Sequence, residues 1–459
     1  MEDVAFAAVD ENMSESVDVV VIGGGPAGST AAGFLAQSGA RVHLFERERF
    51  PRYHIGESLL SATLPILDAL GVTSAIEEAG FIRKPGGTFV WGSRGEPWSF
   101  FFREDPGGRR HAFHVLRSQF DHILLRHAAS LGAEVREGHR VVSMEYDQAS
   151  GRTRVVAENE SGVRIATDAA WVIDASGQHA LLGSRDRLRE FNPFFKNLAV
   201  FGYYENAERL DGPVTGNILS AAFADGWFWF IPLHDGTTSV GAVVDAHRFA
   251  GEAAGDALPL YLRLIAACEP VAKRVQRATL VSAIRVIRDY SYCSQRFHGP
   301  GYLLAGDAAC FIDPVFSTGV HLACLAGYLS SQAVAAMLAG APSQPELQRY
   351  DTRYRAAFER YLNFLYFFYD HHRDPDSYFW TARKILASHE ALDTRTAFVR
   401  LMSGGGDLLN DDAALRRELD ERHARLRKAV DAGRFAAAPD AGLFRVSGTV
   451  AEMDRSRKP

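Results

Sequence analysis

The sequence predicts an α/β fold, and three observations carry that reading. A short apolar strand over residues 17–22 runs into the loop Gly23-Gly24-Gly25-Pro26-Ala27-Gly28. A helix over 26–38 and a second strand over 41–45 follow, which makes a βαβ opening with buried parallel strands, the start of a Rossmann-like domain. Residues 197–244 are rich in strand-forming and aromatic residues and predict a large mixed or antiparallel β-sheet in a second domain. From residue 345 onward apolar residues recur at helical spacing, most clearly over 354–369, and predict a helical C-terminal region.

The remaining elements follow in order. Residues 119–132 read as an amphipathic helix. Residues 134–157 and 164–173 alternate as antiparallel strands around the Ser161-Gly162 turn. Residues 301–304 are a short buried strand and 319–338 a helix. Gly404-Gly405-Gly406 breaks the helical tract, and the charged stretch from Arg416 to Lys428 reads as a solvated helix face, with a contact for an acidic carrier protein as the alternative. The aromatic stripe over 361–369 reads as core, with a pocket lining or lid as the alternative. The expected division is an acidic arm (1–16), a dinucleotide domain (17–180) interrupted by a substrate-facing segment (about 81–112), a β-sheet substrate domain (181–298), a return to the first domain (299–340), a helical region (341–435) and a flexible tail (436–459).

Composition excludes several classes. The chain has 459 residues, 47% of them hydrophobic, and a formal charge of -6. That balance argues against nucleic-acid binding, which needs a basic surface. Cys268, Cys293, Cys310 and Cys324 have no C-x-x-C or other metal spacing. Free thiols in a reducing cytoplasm are the expectation, with no metal site. The acidic first residues lack a basic n-region, so they do not read as a signal peptide. No run of about 18 apolar residues exists, so no membrane span is expected.

The glycine loop follows a strand and opens a helix, the context in which G-x-G-x-x-G signals a dinucleotide site. Gly23 makes the tight turn, Gly25 lets backbone approach a pyrophosphate, and Gly28 lets helix and strand pack closely. The helix N-terminus then offers free N–H groups to the phosphates. Glu46, at the end of the second strand, can accept from both ribose hydroxyls. The fingerprint alone does not separate NAD from FAD.

Three later segments separate them by resemblance. Leu304-Ala305-Gly306-Asp307-Ala308-Ala309, the helix carrying Arg117, Phe120-Asp121 and Leu124-Leu125, and Val172-Ile173-Asp174-Ala175-Ser176-Gly177 resemble motifs of the flavoprotein hydroxylase superfamily, in the right order. The resemblance implies FAD, with Asp307 bonding its ribityl chain. It places Gly23, Gly25, Ala27, Gly28, Glu46, Arg47, Arg117, Asp307 and Gly319 at the cofactor. Asp121 and Asp174 fit either a cofactor contact or a cap or turn.

Trp227-Phe228-Trp229-Phe230-Ile231-Pro232 reads W-x-W-x-I-P. Taken alone it is an aromatic edge strand stopped by Pro232. Together with the flavin motifs it resembles the flavin-dependent halogenases. Phe50-Pro51-Arg52-Tyr53-His54-Ile55-Gly56-Glu57-Ser58 is similar to that family's P-R-x-H-I-G-E-S segment beside the flavin. Lys84 lies in the register of its essential lysine. The resemblance implies that reduced FAD and O2 give a C4a-hydroperoxide, that halide (chloride first, bromide second) attacks it, and that the hypohalous acid so formed is guided by Lys84. The lysine either hydrogen-bonds that acid or is itself halogenated. Asp313-Pro314-Val315-Phe316-Ser317-Thr318-Gly319-Val320 resembles the halide-binding segment, with the N–H groups of Thr318 and Gly319 facing the anion. A helix cap at Ser317 or Thr318 accounts for the same residues.

Phe316 stands where the tryptophan halogenases carry a glutamate, which points to the phenol and pyrrole branch. The substrate implied is a small electron-rich aromatic intermediate of antibiotic-type biosynthesis, free or tethered to an acyl or peptidyl carrier protein. Trp227 and Trp229 can fill the space between flavin and substrate and so prevent direct hydroxylation. No second G-x-G-x-x-G is present, so a separate reductase is expected to supply FADH2. The alternative is an aromatic hydroxylase that reduces its own FAD with NAD(P)H. It explains neither the hexamer nor Lys84.

Overall fold

The computed structural model describes residues 15–92, 95–369, 393–404 and 444–446. The expected acidic arm up to residue 14, Gly405 and Gly406, the stretch from Arg416 to Lys428 and the rest of the expected tail lie outside the described residues. The opening strand, Glu15–Ile22, starts two residues earlier than expected, because Glu15 and Ser16 still pair with Thr167 and Asp168. Its one charged interior residue, Asp18, is buried with a partner: one carboxylate oxygen accepts the backbone N–H of Arg41 at 2.8 Å.

The first of two nine-stranded sheets is built around that strand. Val42–Glu46 and Arg164–Asp174 flank it in parallel, and Tyr302–Leu304 runs parallel to the end of Arg164–Asp174. One expectation is corrected. Glu134–Glu137, read from the sequence as the start of an antiparallel run, is a parallel neighbour of Val42–Glu46. Gly138, at φ 70°, turns the chain there, and the antiparallel pairing begins with His139–Asp147 and Arg152–Asn159. Phe444–Val446 lies antiparallel beside His139–Asp147.

The second sheet is antiparallel except where Ile218–Phe223 pairs with Gly86–Val90. The segment around residues 81–112 therefore leaves the first sheet. Gly86–Val90 and Pro97–Phe101 join the second sheet, and Ile82–Lys84 pairs with Ala112–His114. The hexamer strand, Gly226–Pro232, is interior rather than an edge, held between Ile218–Phe223 and Thr237–Asp245. Pro232 sits at its end, where its missing N–H costs little.

Helix Gly319–Leu338 is long and apolar enough to cross a membrane by length and composition, which the sequence reading did not anticipate. It is almost wholly buried in the fold, and reads as a core helix. Helix Ser343–Phe368 buries Tyr361, Phe364, Leu365 and Phe368 of the aromatic stripe, as the core reading expects, but leaves Tyr366 44% exposed.

Candidate active site: a cleft with two different ends

A cleft of about 550 Å³ lies between the sheets. Ile22, Glu46, Ala175 and Ala305, at or just past the C-terminal ends of parallel strands, form one wall. Ligands of α/β sheets bind at that edge. Ala199, Phe201, Ile218, Trp227, Trp229, Ile231 and Ile287, from the second sheet, form the opposite wall.

The glycine loop opens into one end. A Cβ at Gly23, whose φ is 101°, would lie 2.4 Å from Ala175 O, and one at Gly28 would lie 1.9 Å from Gly23 O. Those two glycines are required by the fold itself. Gly25 differs: a Cβ there would meet only the Arg52 guanidinium, at 3.4 Å. Its bareness serves whatever fills the cleft, which fits a pyrophosphate. Gly25 precedes a helix whose N-terminus has no side-chain cap. One Glu46 oxygen accepts the Gly24 N–H at 2.6 Å and the other the Glu48 N–H at 2.8 Å. Each oxygen keeps a second lone pair for a ribose hydroxyl. Arg47 lies at the exposed rim, bonded to His179 and Glu48. Ala27 and the half-buried Asp307 also line the cleft. Burial pushes the Asp307 carboxyl up to about 6, against the pull of Arg117.

Arg117 does more than the sequence reading assigned to it. It makes a bidentate pair with Asp121, at 2.7 and 2.9 Å, and donates to Ile55 O at 2.6 Å. Arg52 donates to the same Asp121 at 3.1 Å. Asp121 is thus neither a cap nor a cofactor contact but the shared partner of two arginines. Asp174 is a turn residue, accepting the N–H groups of Ser176 and Leu182, both at 3.0 Å.

The hexamer forms the middle of the cleft by simple alternation. Trp227, Trp229 and Ile231 face the cleft, while Phe228 and Phe230 enter a second core cluster. Gly241, opposite Trp229, makes room for the indole: a Cβ there would come within 2.2 Å of it. Beside Trp229 stands Glu57, buried and bonded to Tyr203 Oη at 2.7 Å, with Tyr203 bonded in turn to the exposed Tyr53 at 2.9 Å. Burial pushes the Glu57 carboxyl up to about 7, against the pull of the Tyr203 and Ser239 hydroxyls. It can therefore exchange a proton near neutrality.

Lys84 lies behind the cleft wall, reached through Ser317. It is 2% exposed. Its Nζ donates to Leu59 O at 3.0 Å and to Ser317 Oγ at 3.4 Å, and stands 5.6 Å from the Phe102 ring centre. Burial lowers its pKa to about 7. Neighbouring His114 is pushed well down by burial and by the lysine's charge. Ser317, in the left-handed region at φ 60°, lines the cleft, so the lysine's hydroxyl partner lies on the cleft wall. Neither Ser317 nor Thr318 caps helix Gly319–Leu338 with its side chain, and Thr318 Oγ1 is buried without a partner. The first-turn N–H groups stay available. A Cβ at Gly319 would meet nothing within 4 Å. That pocket of space beside free N–H groups suits an anion. Phe316 stacks on Phe364 at 5.2 Å and meets Phe368 edge-on at 5.0 Å. The wall beside the lysine is aromatic.

The structure thus brings ten of the expected residues to the wall of one cleft (Gly23, Gly25, Ala27, Glu46, Arg47, Arg117, Trp227, Trp229, Asp307 and Gly319), while Gly28 and Thr318 lie beside wall residues and Lys84 behind Ser317. Sequence reasoning missed Arg52, Glu57, Tyr203 and Tyr369. The first two sit in the quoted P-R-x-H-I-G-E-S segment, where a buried carboxylate among apolar residues was the available signal. The tyrosines carry no local signal.

A dinucleotide-type fold with two indoles on its cleft wall and a buried lysine behind it defines a class, and comparison with known proteins defines the family. A family model described as tryptophan halogenase matches residues 18–109 and 103–420. The chain is 36% identical over 408 residues to a tryptophan 2-halogenase of Chondromyces crocatus, covering 86% of this chain and 77% of that protein. It is 33% identical to the flavin-dependent halogenase armH2 of Armillaria mellea, covering 76% and 71%. The solved structure of the myxobacterial chondrochloren halogenase CndH, an FAD-dependent halogenase, matches with a TM-score of 0.74 at 42% identity, covering 90% of this chain and 97% of that one. The chain belongs to the flavin-dependent halogenases. It is an enzyme that uses FAD, O2 and halide to halogenate a small aromatic substrate, with reduced flavin from a separate reductase, and the hydroxylase alternative is not favoured.

Proposed function

We propose that this chain chlorinates, or with bromide brominates, an electron-rich ring, a phenol before a pyrrole, presented free or as a carrier-protein thioester. In this reading FADH2, O2, halide, one proton and the arene give FAD, the haloarene and two waters. When bound, reduced flavin would supply two electrons to O2, bringing it to the peroxide level at which it can oxidise halide. The glycine loop, Glu46, Arg47, Arg117 and Asp307 hold the flavin. Thr318 and Gly319 hold halide, and Trp227 and Trp229 keep the arene away from the flavin so that only hypohalous acid crosses. Glu57 is placed to pass the proton that each turnover consumes.

The observation that carries the reading is Lys84, a buried amine with a pKa near 7 and a hydroxyl partner on the halide segment. Near neutrality about half of it is ammonium, able to donate to hypohalous acid and polarise its halogen. The rest is free amine, able to take the halogen and release water. Phe316 in its aromatic stack favours the phenol branch, since a phenol activates its own ortho carbon and needs no carboxylate base there. The four cysteines are free, which fits a cytoplasmic setting.

The test is an assay with a flavin reductase, chloride or bromide, and four substrate arms: phenolic acids, pyrroles, their carrier thioesters and free tryptophan. Halogenated phenol is the expected product. Efficient turnover of free tryptophan sinks the branch, and efficient turnover of the free phenolic acid sinks the tether.

A further inference from the structure

We propose that Tyr369, at the end of helix Ser343–Phe368, is a positioning residue that ties the Trp227 indole to the halide segment. Four side chains from distant parts of the chain meet there. Trp227 Nε1 donates to Tyr369 Oη at 2.8 Å. Tyr369 Oη donates to Asp313 Oδ2 at 2.6 Å. Asn197 Nδ2 donates to the same Asp313 oxygen at 3.0 Å and approaches Tyr369 Oη at 3.4 Å. The other Asp313 oxygen accepts the Val315 N–H at 3.0 Å, so this one carboxylate also shapes the turn leading to Ser317.

The geometry makes the coupling directional. An indole N–H has one donor and no acceptor, so its single hydrogen bond fixes the ring plane. The Tyr369 hydroxyl proton is committed to Asp313, which leaves its lone pair for Trp227. Rotation of the indole, movement of the turn at Asp313, or withdrawal of the helix end breaks the chain of bonds. Apolar contacts repeat the link: Phe368 packs on Phe316 of the same turn at 5.0 Å, and its backbone oxygen accepts Trp91 Nε1 at 2.8 Å. The inference rests on Trp227 as the screen between flavin and arene: a loosened screen admits the arene to the flavin side and diverts oxidant from halogenation.

Tyr369→Phe keeps the ring and removes the hydroxyl. In 15N-labelled holoenzyme, the Trp227 indole crosspeak, assigned with Trp227→Phe, is expected to move. Haloarene formed per FADH2 oxidised is expected to fall about tenfold, the scale of one hydrogen bond to a charged group. Asn197→Leu is expected to shift both readouts less, in the same direction, and decides the case if Tyr369→Phe does not fold. Tyr366→Phe removes a nearby hydroxyl that bonds Asn192 instead, and is expected to move neither readout. An unmoved crosspeak, an unchanged yield, or equal effects from Tyr366→Phe would overturn the proposal. The crosspeak reports the tie even if Lys84 proves dispensable, so the two readings fail separately.

Discussion

Two cations are buried beside the cleft, and the fold treats them in opposite ways. Arg117, 6% exposed, has a bidentate carboxylate partner in Asp121. Burial works against its charge, but Asp121 more than offsets that and its pKa is raised. Lys84, 2% exposed, has a carbonyl and a hydroxyl as its hydrogen-bond partners, and burial alone lowers its pKa to about 7. A paired arginine is a fixed charge that holds an anion and shapes a loop. A lysine with no counter-ion among the described residues gives up its proton more easily, so both of its protonation states are populated near neutrality. One cation is locked in an ion pair and the other is held by neutral partners alone among the described residues.

The largest expected effect comes from removing the unpaired cation. Lys84→Met should lower haloarene formation by about a thousandfold or more, the scale of losing a proton donor or nucleophile, with FAD content unchanged. Substantial product from the variant removes Lys84 from the chemistry. The same variant carries a stability signature. The folded pKa lies below the ordinary 10.5 of lysine, so the unfolded chain binds more protons between about pH 7 and 10.5. The burial penalty is therefore full below pH 7 and fades as pH rises through that window. Lys84→Met should melt higher than wild type at pH 6, with the gap closing toward pH 10; a gap that is constant with pH contradicts the desolvated lysine.

Removing the counter-ion at the other end should cost stability rather than chemistry. Asp121→Asn leaves Arg117 and Arg52 competing for a neutral amide in a buried place, a loss of roughly 3–5 kcal/mol. Denaturant unfolding checks it, and a loss below about 1 kcal/mol would mean the arginines find water. Gly25→Val should sharply lower the FAD content of purified protein by filling the space above the loop, and Glu46→Ala should weaken FAD by roughly 1–3 kcal/mol. Stoichiometric flavin in both variants contradicts the dinucleotide site.

The smallest effect concerns Glu57. Its folded pKa is raised from 4.5 to about 7, so the folded state keeps a proton that the unfolded chain releases in that window. Its contribution is present below pH 4.5 and is lost as pH climbs to 7. Relative to wild type, Glu57→Gln should gain a few degrees of Tm as pH rises from 4.5 to 7. A flat difference between the two proteins would place Glu57 in water.

The two ends also differed in how far the sequence revealed them. At the binding end the glycine spacing, the strand before it and Glu46 all lie within one βαβ unit, and local pattern reaches that far. The hexamer was legible too, because period-2 alternation sends Trp227 and Trp229 to one face. What local pattern could not show was partnership across the chain. Asp121 was open between cap and cofactor contact until Arg52 and Arg117 closed on it. Tyr369 looked like one more core aromatic, since its bonds to Trp227 and Asp313 span 142 and 56 residues. Glu134–Glu137 alternates in the same way whether its neighbour is parallel or antiparallel.

The difference between the two cations rests on the absence, among the described residues, of a carboxylate paired with Lys84, and Phe316→Glu would place one next to the lysine's partner Ser317. It should raise the lysine's pKa by about 1–3 units. The most direct measurement is the wild-type value: the 13Cε resonance of Lys84, assigned with Lys84→Met, followed by NMR as pH is raised. A midpoint near 7 is expected for a buried amine poised between acid and nucleophile. A midpoint near the ordinary lysine value of 10.5 would show a charge as permanent as that of Arg117, and the contrast between the two ends of the cleft would be gone.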